Sequence, residues 1–139
     1  MSLKIRILLI ALAIIIIGAV IVWLRVFRKS DTSVAGQKAT IEITASALVN
    51  DYEINEDSAN LKYNDKVISI IGMIAEVKES QENISLYLKE NKATSGVMCS
   101  FDKGVVKKED FKTGQEVKLK GICNGYLMDV VMNKCTIGN

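Results

Sequence analysis

The residues with the greatest chemical potential in this chain are its cysteines. The 139 residues include Cys99, Cys123 and Cys135 but no histidine. Without histidine, the chain can form neither a Cys-His or Ser-His catalytic pair nor a His-ligated metal site. Cys123 and Cys135 are separated by eleven residues, which matches neither a CxxC redox motif nor the spacing of zinc ligands. We therefore expect structural thiols, and neither a metal nor another cofactor.

The remaining catalytic interpretation is a cysteine activated by a neighbouring lysine. Cys99 has Lys103 nearby in the sequence, and a lysine can lower a thiol pKa. However, Cys99 alternates with the apolar residues Val97 and Phe101, which is the pattern of an inert, buried thiol. We expect that the protein is not an enzyme.

A second segment, near the N-terminus, is apolar on every side. The residues from Ile7 to Leu24 read ILLIALAIIIIGAVIVWL and carry no charge. As a helix, this segment would be about 27 Å long, close to the ~30 Å of a bilayer's hydrocarbon core. Residues typical of membrane flanks surround it: Lys4, Arg6, Trp23, Arg25, Arg28 and Lys29. The sequence predicts a single transmembrane signal anchor within residues 1–29, with the lipid bilayer as its partner.

The alternatives to an anchor fit the sequence less well. A cleaved signal peptide has an apolar region of about 7 to 15 residues followed by small residues, whereas this run is longer and ends in Trp23-Leu24-Arg25. Lipoprotein attachment needs a cysteine just after the run, and none precedes Cys99. A helix buried in a soluble protein would have to be enclosed on all sides, which a small domain could hardly do.

The flanking charges nearly balance, so they leave the orientation close to even. Because short N-terminal anchors commonly export the domain that follows, we expect the domain on the periplasmic or extracellular side of the cytoplasmic membrane. Residues 30–39, SDTSVAGQKA, are small and polar and predict a flexible linker, with the folded domain at 40–139.

After Lys29, the chain has thirteen lysines, no arginine and sixteen acidic residues, which give a formal charge of −3. This composition supplies no basic stripe for nucleic acid, which we expect to be an unlikely partner.

The domain begins with a helical pattern. Apolar residues recur at helical spacing from Ala45 to Tyr52, with Thr44 as a potential cap, and a second helix begins after Asn55. Ala59 and Tyr63 lie on one face of that second helix. The acidic residues of both helices predict a solvated surface, because the twelve-residue spacing of a calcium loop is absent.

From Val67 onward the pattern becomes that of extended strands. Alternating or continuous apolar residues predict five of them, at Val67–Val77 with a bend or bulge at Gly72, Ile84–Leu88, Val97–Phe101, Val117–Cys123 and Val130–Ile137. A short helix or turn between Lys103 and Gly114 connects the third strand to the fourth, and Asn124-Gly125 is the predicted turn before the fifth. This order predicts a mainly β domain, a five-stranded OB-fold barrel preceded by helices.

Four short motifs can be read along the domain: A-L-V-x-x-Y…N…A…Y (Ala47 to Tyr63), I-x-G-x-I (Ile70 to Ile74), V-x-C-x-F (Val97 to Phe101) and G-x-C-x-G…D-V…C-x-I (Gly121 to Ile137). Together they resemble the tRNA_anti-like family of OB-fold proteins. The resemblance implies a small bacterial envelope protein behind a lipoprotein signal or a single anchor. It brings a fold-level likeness to anticodon-binding domains but no catalytic or ligand residue, and a fold does not determine a function.

The barrel leaves the cysteine pairing open. In a regular hairpin, Cys123 and Cys135 would lie about 15 to 20 Å apart, whereas a disulfide needs Cα atoms within about 7 Å. Because the third strand of an OB barrel lies next to the fifth, Cys99 to Cys135 is the alternative pair. Either bridge leaves one thiol free.

The function predicted from the sequence is that of a membrane-anchored binding or assembly module of the bacterial cell envelope. Its predicted partner is an envelope protein or a small ligand. The alternative is a protein that binds single-stranded nucleic acid through aromatic and basic residues on strands two and three. Phe101 shares the face of Val97 and is expected in the core. The candidate residues of a ligand-binding face are Tyr87, Lys89, Lys92 and Tyr126.

Overall fold

The structure is a computed structural model that describes residues 3–27 and 34–138. These residues divide into two compact units, one containing the helix α1 (Leu3–Phe27) and the other containing every element from Val34 onward. The second unit contains the hydrophobic core and the sites discussed below.

Helix α1 corresponds to the predicted anchor. Its described apolar side chains, Ile10 and Ile15 among them, are exposed, as is Trp23. Within the part of the chain that the structure describes, no helix combines the length and the apolarity that a membrane crossing requires. The transmembrane helix predicted at residues 7–24 is therefore not supported by the structure. Among the predicted flanking residues, the side chains of Lys4, Arg6 and Arg25 and the whole of Arg28 and Lys29 lie outside the described part.

The second unit is a closed β-barrel with two helices at its start. The described strands are β1 (Ile41–Thr44), β2 (Val67–Glu79), β3 (Asn83–Leu88), β4 (Val97–Asp102), β5 (Glu116–Tyr126) and β6 (Val130–Ile137). They follow the order β1-β2-β3-β4-β6-β5, and pairing of β2 with β5 closes a five-stranded barrel. This is the predicted OB-fold topology.

The two helices, α2 (Ala45–Ile54) and α3 (Glu56–Tyr63), begin at the predicted caps. Thr44 Oγ1 accepts a hydrogen bond of 3.2 Å from the Ala47 amide, and Asn55 Oδ1 accepts one of 3.0 Å from the Ser58 amide. Each bond satisfies an amide that has no partner within the helix. The predicted apolar faces are buried, and they pack α2 and α3 against the core.

The barrel interior follows from the two-residue period of its strands. Ile84, Leu86 and Leu88 point inward from β3, and Val97, Cys99 and Phe101 point inward from β4. The inward residues of β5 are Leu119, Gly121 and Cys123. Phe101 therefore lies in the core, as predicted.

The structure differs from the prediction in two features: an additional strand beside β2, and the position of the irregularity within β2. Strand β1 was not predicted, and it pairs in parallel with residues 68–71 of β2. Gly72 lies in an uninterrupted ladder with β5, and the irregularity in β2 falls between Ile74 and Glu76, where it pairs with β3. A Cβ at position 72 would lie 2.8 Å from the Cβ of Ala45, so glycine is needed for the close approach of α2.

Of the two predicted connections near the other strands, the first is confirmed and the second differs. Between β4 and β5, the described backbone forms a short 3₁₀ turn (Lys108–Asp110) and contains no α-helix. Gly114 follows this turn with a φ of +85°. Strand β5 continues through Asn124-Gly125 to Tyr126, so the turn lies at residues 127–129. Gly125 has a φ of +98° and sits in a register shift between Cys123 and Tyr126, where glycine supports a bulge instead of the predicted turn.

Part of the predicted linker is packed on the barrel. Val34, at 1% exposure, is buried, and it begins a 3₁₀ turn (Val34–Gly36). Lys120 Nζ donates to the carbonyls of Ala35 at 3.1 Å and Gln37 at 2.7 Å. We call residues 34–39 the strap. The remainder of the predicted linker, residues 30–33, lies outside the described part.

Candidate functional site

The outer face of strands β3 and β4 is the first candidate site. Because side chains alternate along a strand, Ser85 and Tyr87 point away from the core that holds Leu86. Tyr87 is paired with Met98 across the two strands, and Ser85 is paired with Ser100. The hydroxyl oxygens of Ser85 and Ser100 are 3.3 Å apart, within hydrogen-bonding distance. The two strands thus present an aromatic ring, a thioether and two hydroxyls to solvent.

A shallow cavity of about 130 Å³ lies on this face. We call it the Tyr87 depression, and its lining residues are Glu76, Lys78, Ser85, Tyr87, Met98 and Asp129. Met98 is an apolar side chain with 39% of its surface exposed. Lys78 Nζ lies 3.4 Å from Glu76 Oε2, so the ammonium is already beside a carboxylate. The depression therefore combines an accessible apolar side chain with charges of both signs.

Asp129 fixes the position of the tyrosine. The Tyr87 hydroxyl donates a 2.6 Å hydrogen bond to Asp129 Oδ1, and the Gly96 amide donates a 2.8 Å bond to the same oxygen. The pKa of Tyr87 is raised to about 12, chiefly by burial and then by the bond to Asp129. At neutral pH the tyrosine is therefore a neutral donor whose proton is directed at the carboxylate.

The structure brings together only some of the candidate ligand residues. Lys89 Nζ lies 5.8 Å from the ring centroid of Tyr87 and donates to the Thr94 carbonyl at 3.2 Å. Lys92 is exposed in the β3–β4 loop, where its φ is 72°. Tyr126 instead stacks on Tyr52, with ring centroids 5.7 Å apart, and so belongs to the helical side of the barrel.

Sequence reasoning did not select Met98 or Asp129 for the candidate site. Met98 could have been found, because it alternates with Val97 and Cys99 and so faces outward. Asp129 lies 42 positions from Tyr87, and no local pattern predicts a contact over that separation.

The three cysteines lie buried inside the barrel. Met132 is the cross-strand partner of both Cys99 and Cys123, so it stands between them in the sheet. Cys123 Sγ is 3.4 Å from the Tyr52 hydroxyl oxygen. Burial, followed by contact with the Cys135 thiol, raises the pKa of Cys99. Inaccessible thiols are poor nucleophiles, so these residues fit a packing role.

No metal site accompanies the thiols in the part of the chain that the structure describes. Among residues 3–27 and 34–138, no three or more His, Cys, Asp or Glu side chains are grouped so that they could hold a metal ion. The disulfide between Cys135 and either Cys99 or Cys123 stays a prediction.

The closed barrel, its strand order and its exposed β3–β4 face define an OB-fold domain. The chain belongs to the tRNA_anti-like family, whose model matches residues 1–137. This confirms the resemblance found in the sequence motifs. No curated protein matches the chain in sequence.

Solved structures share the fold at low sequence identity. A Klebsiella pneumoniae lipoprotein thought to bind nucleic acid is 13% identical with a TM-score of 0.59, covering 81% of this chain and 100% of its own. The asparaginyl-tRNA synthetase of Pyrococcus horikoshii is 16% identical with a TM-score of 0.41, covering 55% of this chain and 20% of its own. Such identities show the fold alone.

Proposed function

We propose that the protein is an OB-fold binding module of the bacterial cell envelope and that it holds its ligand in the Tyr87 depression. The observation that carries this proposal is the pair formed by Tyr87 and Met98 on the outer face of β3 and β4. This face carries the ligands of many OB folds. The Asp129 bond holds the Tyr87 ring in place, so binding would cost little side-chain entropy.

The charges of the depression favour a neutral or zwitterionic ligand, such as a short peptide or a glycan. Lys78 is beside Glu76, and Asp129 contributes a second carboxylate. A nucleic-acid groove would instead need unpaired cations along the path of the phosphates. The serine hydroxyls and the phenol can bond sugar hydroxyls or peptide groups, while Met98 offers an apolar contact.

Methionine-methyl NMR tests this proposal on the full chain, purified in a mild detergent. The probes are an uncharged tripeptide, chitotriose and an oligothymidylate. We expect the tripeptide or chitotriose to shift the Met98 methyl signal while the methyl of Met73, which lies outside the depression, stays unchanged. By isothermal titration calorimetry, Met98→Lys should weaken that binding at least fivefold, and Met128→Lys, at the exposed β5–β6 turn, should not. If neither the tripeptide nor chitotriose moves the Met98 signal, the proposal is wrong.

Nucleic-acid binding is a second candidate, favoured by the likeness to the lipoprotein thought to bind nucleic acid. The oligothymidylate separates this candidate from the first. Binding with a steep dependence on salt, together with shifts at Met98, would replace the neutral ligand with a single strand. The same measurement at low and high salt therefore decides between the two.

We further propose that residues 7–24 attach the protein to the cytoplasmic membrane and that the OB-fold domain lies on the outer side. The support comes from the sequence: the run is long and uncharged, basic residues flank it, and the family match includes it. Lipid is thus a proposed partner, and the protein should stay with the membrane fraction after extraction with alkaline carbonate. Release into the soluble fraction would contradict the attachment.

The side of the membrane can be tested with one introduced cysteine. The native cysteines are buried, whereas Lys112 is exposed. In intact cells, a membrane-impermeant maleimide should label Lys112→Cys and leave the parent chain unlabelled. Labelling of Lys112→Cys only after cell lysis would place the domain on the inner side.

A further inference from the structure

A second cavity lies on another outer surface of the barrel, where β2, β5 and β6 meet the strap. Its volume is about 640 Å³, and the lining includes Lys38, Ser69, Lys118, Lys120 and Thr136. Val34 is buried at the start of the strap, and the bonds from Lys120 hold the strap in place. We call this space the strap cavity. It is separate from the Tyr87 depression, with which it shares no lining residue.

Three residues form a row across the floor of the strap cavity. Lys120 on β5 is paired with Ser69 on β2 and with Thr136 on β6. Ser69 is only 4% exposed. The hydroxyl oxygens of Ser69 and Thr136 are buried and have no hydrogen-bond partner among the described residues. Buried hydroxyls are nearly always bonded, so this pair calls for a partner that enters the cavity.

The charges around the row are mainly positive. Lys118 Nζ pairs with Glu42 Oε2 at 2.8 Å, and Glu42 also lines the cavity. Lys38 adds an exposed ammonium on the strap. Lys120 uses two of its three N–H donors on strap carbonyls, so one donor remains. The lining therefore offers hydroxyl and ammonium donors to one guest.

We propose that the strap cavity binds a phosphate group. Its oxygens can accept from the hydroxyls of Ser69 and Thr136 and from the remaining Lys120 donor, while Lys38 balances the charge. Both a free phosphate monoester and a lipid headgroup carry this chemistry. The site does not depend on the ligand of the Tyr87 depression, so either proposal can fail alone.

The first test measures the thermal stability of the full chain with sodium phosphate, against sodium chloride at equal ionic strength. Because a ligand that binds only the folded state raises its stability, phosphate should raise the Tm in a saturable way. Ser69→Ala combined with Thr136→Val removes both hydroxyls at nearly constant volume. We expect this variant to keep or raise the Tm without phosphate and to bind phosphate at least tenfold more weakly.

Matched charge variants complete the test. Lys38→Gln should weaken phosphate binding, whereas Lys112→Gln, which removes an exposed lysine away from the cavity, should leave it unchanged. Lys120 is kept because it also holds the strap. An equal Tm rise with chloride, or an unchanged response in the double hydroxyl variant, would overturn the proposal.

Two further probes separate the sources of the phosphate group. Glycerol 3-phosphate tests a free monoester, and phosphatidylglycerol vesicles test a headgroup. Either probe should compete with inorganic phosphate, and this competition should be lost in the double hydroxyl variant. That result would support the site, and the probe that competes would identify the source of the phosphate group. If neither competes although phosphate itself binds and the double hydroxyl variant does not bind it, inorganic phosphate is the ligand and the proposed site is retained.

Discussion

Tyr87 and Asp129 connect the β3–β4 face of the barrel to the turn between β5 and β6. The Tyr87 hydroxyl donates to Asp129 Oδ1 at 2.6 Å, and the Gly96 amide donates to the same atom at 2.8 Å. One carboxylate therefore joins β3, the end of the β3–β4 loop and the β5–β6 turn. The depression proposed for ligand binding depends on this connection, since Tyr87 and Asp129 both line it.

Replacing Asp129 should destabilise the domain more than replacing Tyr87. Asp129→Ala removes the acceptor of the buried Gly96 amide as well as that of Tyr87, and an unsatisfied buried donor costs about 1–3 kcal/mol. Tyr87→Phe leaves the Gly96 bond intact and should cost about 1 kcal/mol or less. Urea unfolding followed by circular dichroism measures both. Equal losses would show that the Gly96 bond contributes nothing.

Alkaline pH should weaken the same connection. The pKa of Tyr87 is raised to about 12 from its ordinary value of 10.0. Because the folded state favours the protonated phenol, this contribution to stability is complete below pH 10 and disappears as pH rises towards 12. Urea midpoints should therefore fall over this interval, and Tyr87→Phe should reduce the fall. Tyr52 and Tyr63 also have raised pKa values, so some decline should persist in the variant.

Much of this fold could be predicted because its signals are local. The caps Thr44 and Asn55, the buried face of α2 and the alternation of β3 and β4 each depend on a few neighbouring residues. Strand β1 was missed because four residues give too short a period and its pairing with β2 is distant in sequence. The Asn124-Gly125 pair was misplaced because a glycine with positive φ serves a bulge as well as a turn.

The sites were less predictable than the fold. Tyr87 was selected from its outward position on β3, but its partner Asp129 is 42 positions away. The strap cavity was missed entirely, because the small and polar composition of residues 30–39 predicts a flexible linker, and nothing local reveals the Lys120 bonds across more than eighty positions. Contacts of this kind depend on barrel closure, which a local pattern does not encode.

Gly121 should tolerate no side chain while Cys135 is present. A Cβ at position 121 would lie 2.7 Å from Cys135 Sγ and 3.2 Å from the Asn133 carbonyl oxygen. Gly121→Ala should therefore destabilise the domain by about 1–3 kcal/mol, as overpacking does in other cores.

The double variant Gly121→Ala with Cys135→Ala tests the cause of this loss. Removing the sulfur relieves the shortest contact, so Cys135→Ala should cost less in the Gly121→Ala background than in the parent chain. The measurement is a double-mutant cycle by urea unfolding. Additive losses would instead place the strain at the Asn133 carbonyl or at the Met132 methyl group, which a Cβ at position 121 would each approach to 3.2 Å.

The native thiols should react slowly with Ellman's reagent in the folded protein. All three are buried, and the pKa of Cys99 is raised because burial disfavours the thiolate. In the purified full chain, Lys112→Cys should release one equivalent of the coloured product quickly, and the parent chain should release none on that timescale.

Unfolding in urea without a reductant then reports the oxidation state of the cysteines, since three reactive thiols mean no disulfide and one means a bridge. If one thiol reacts, peptide mapping should assign the bridge to Cys135 with Cys99 or with Cys123. Rapid labelling of the folded parent chain would contradict the burial of its thiols.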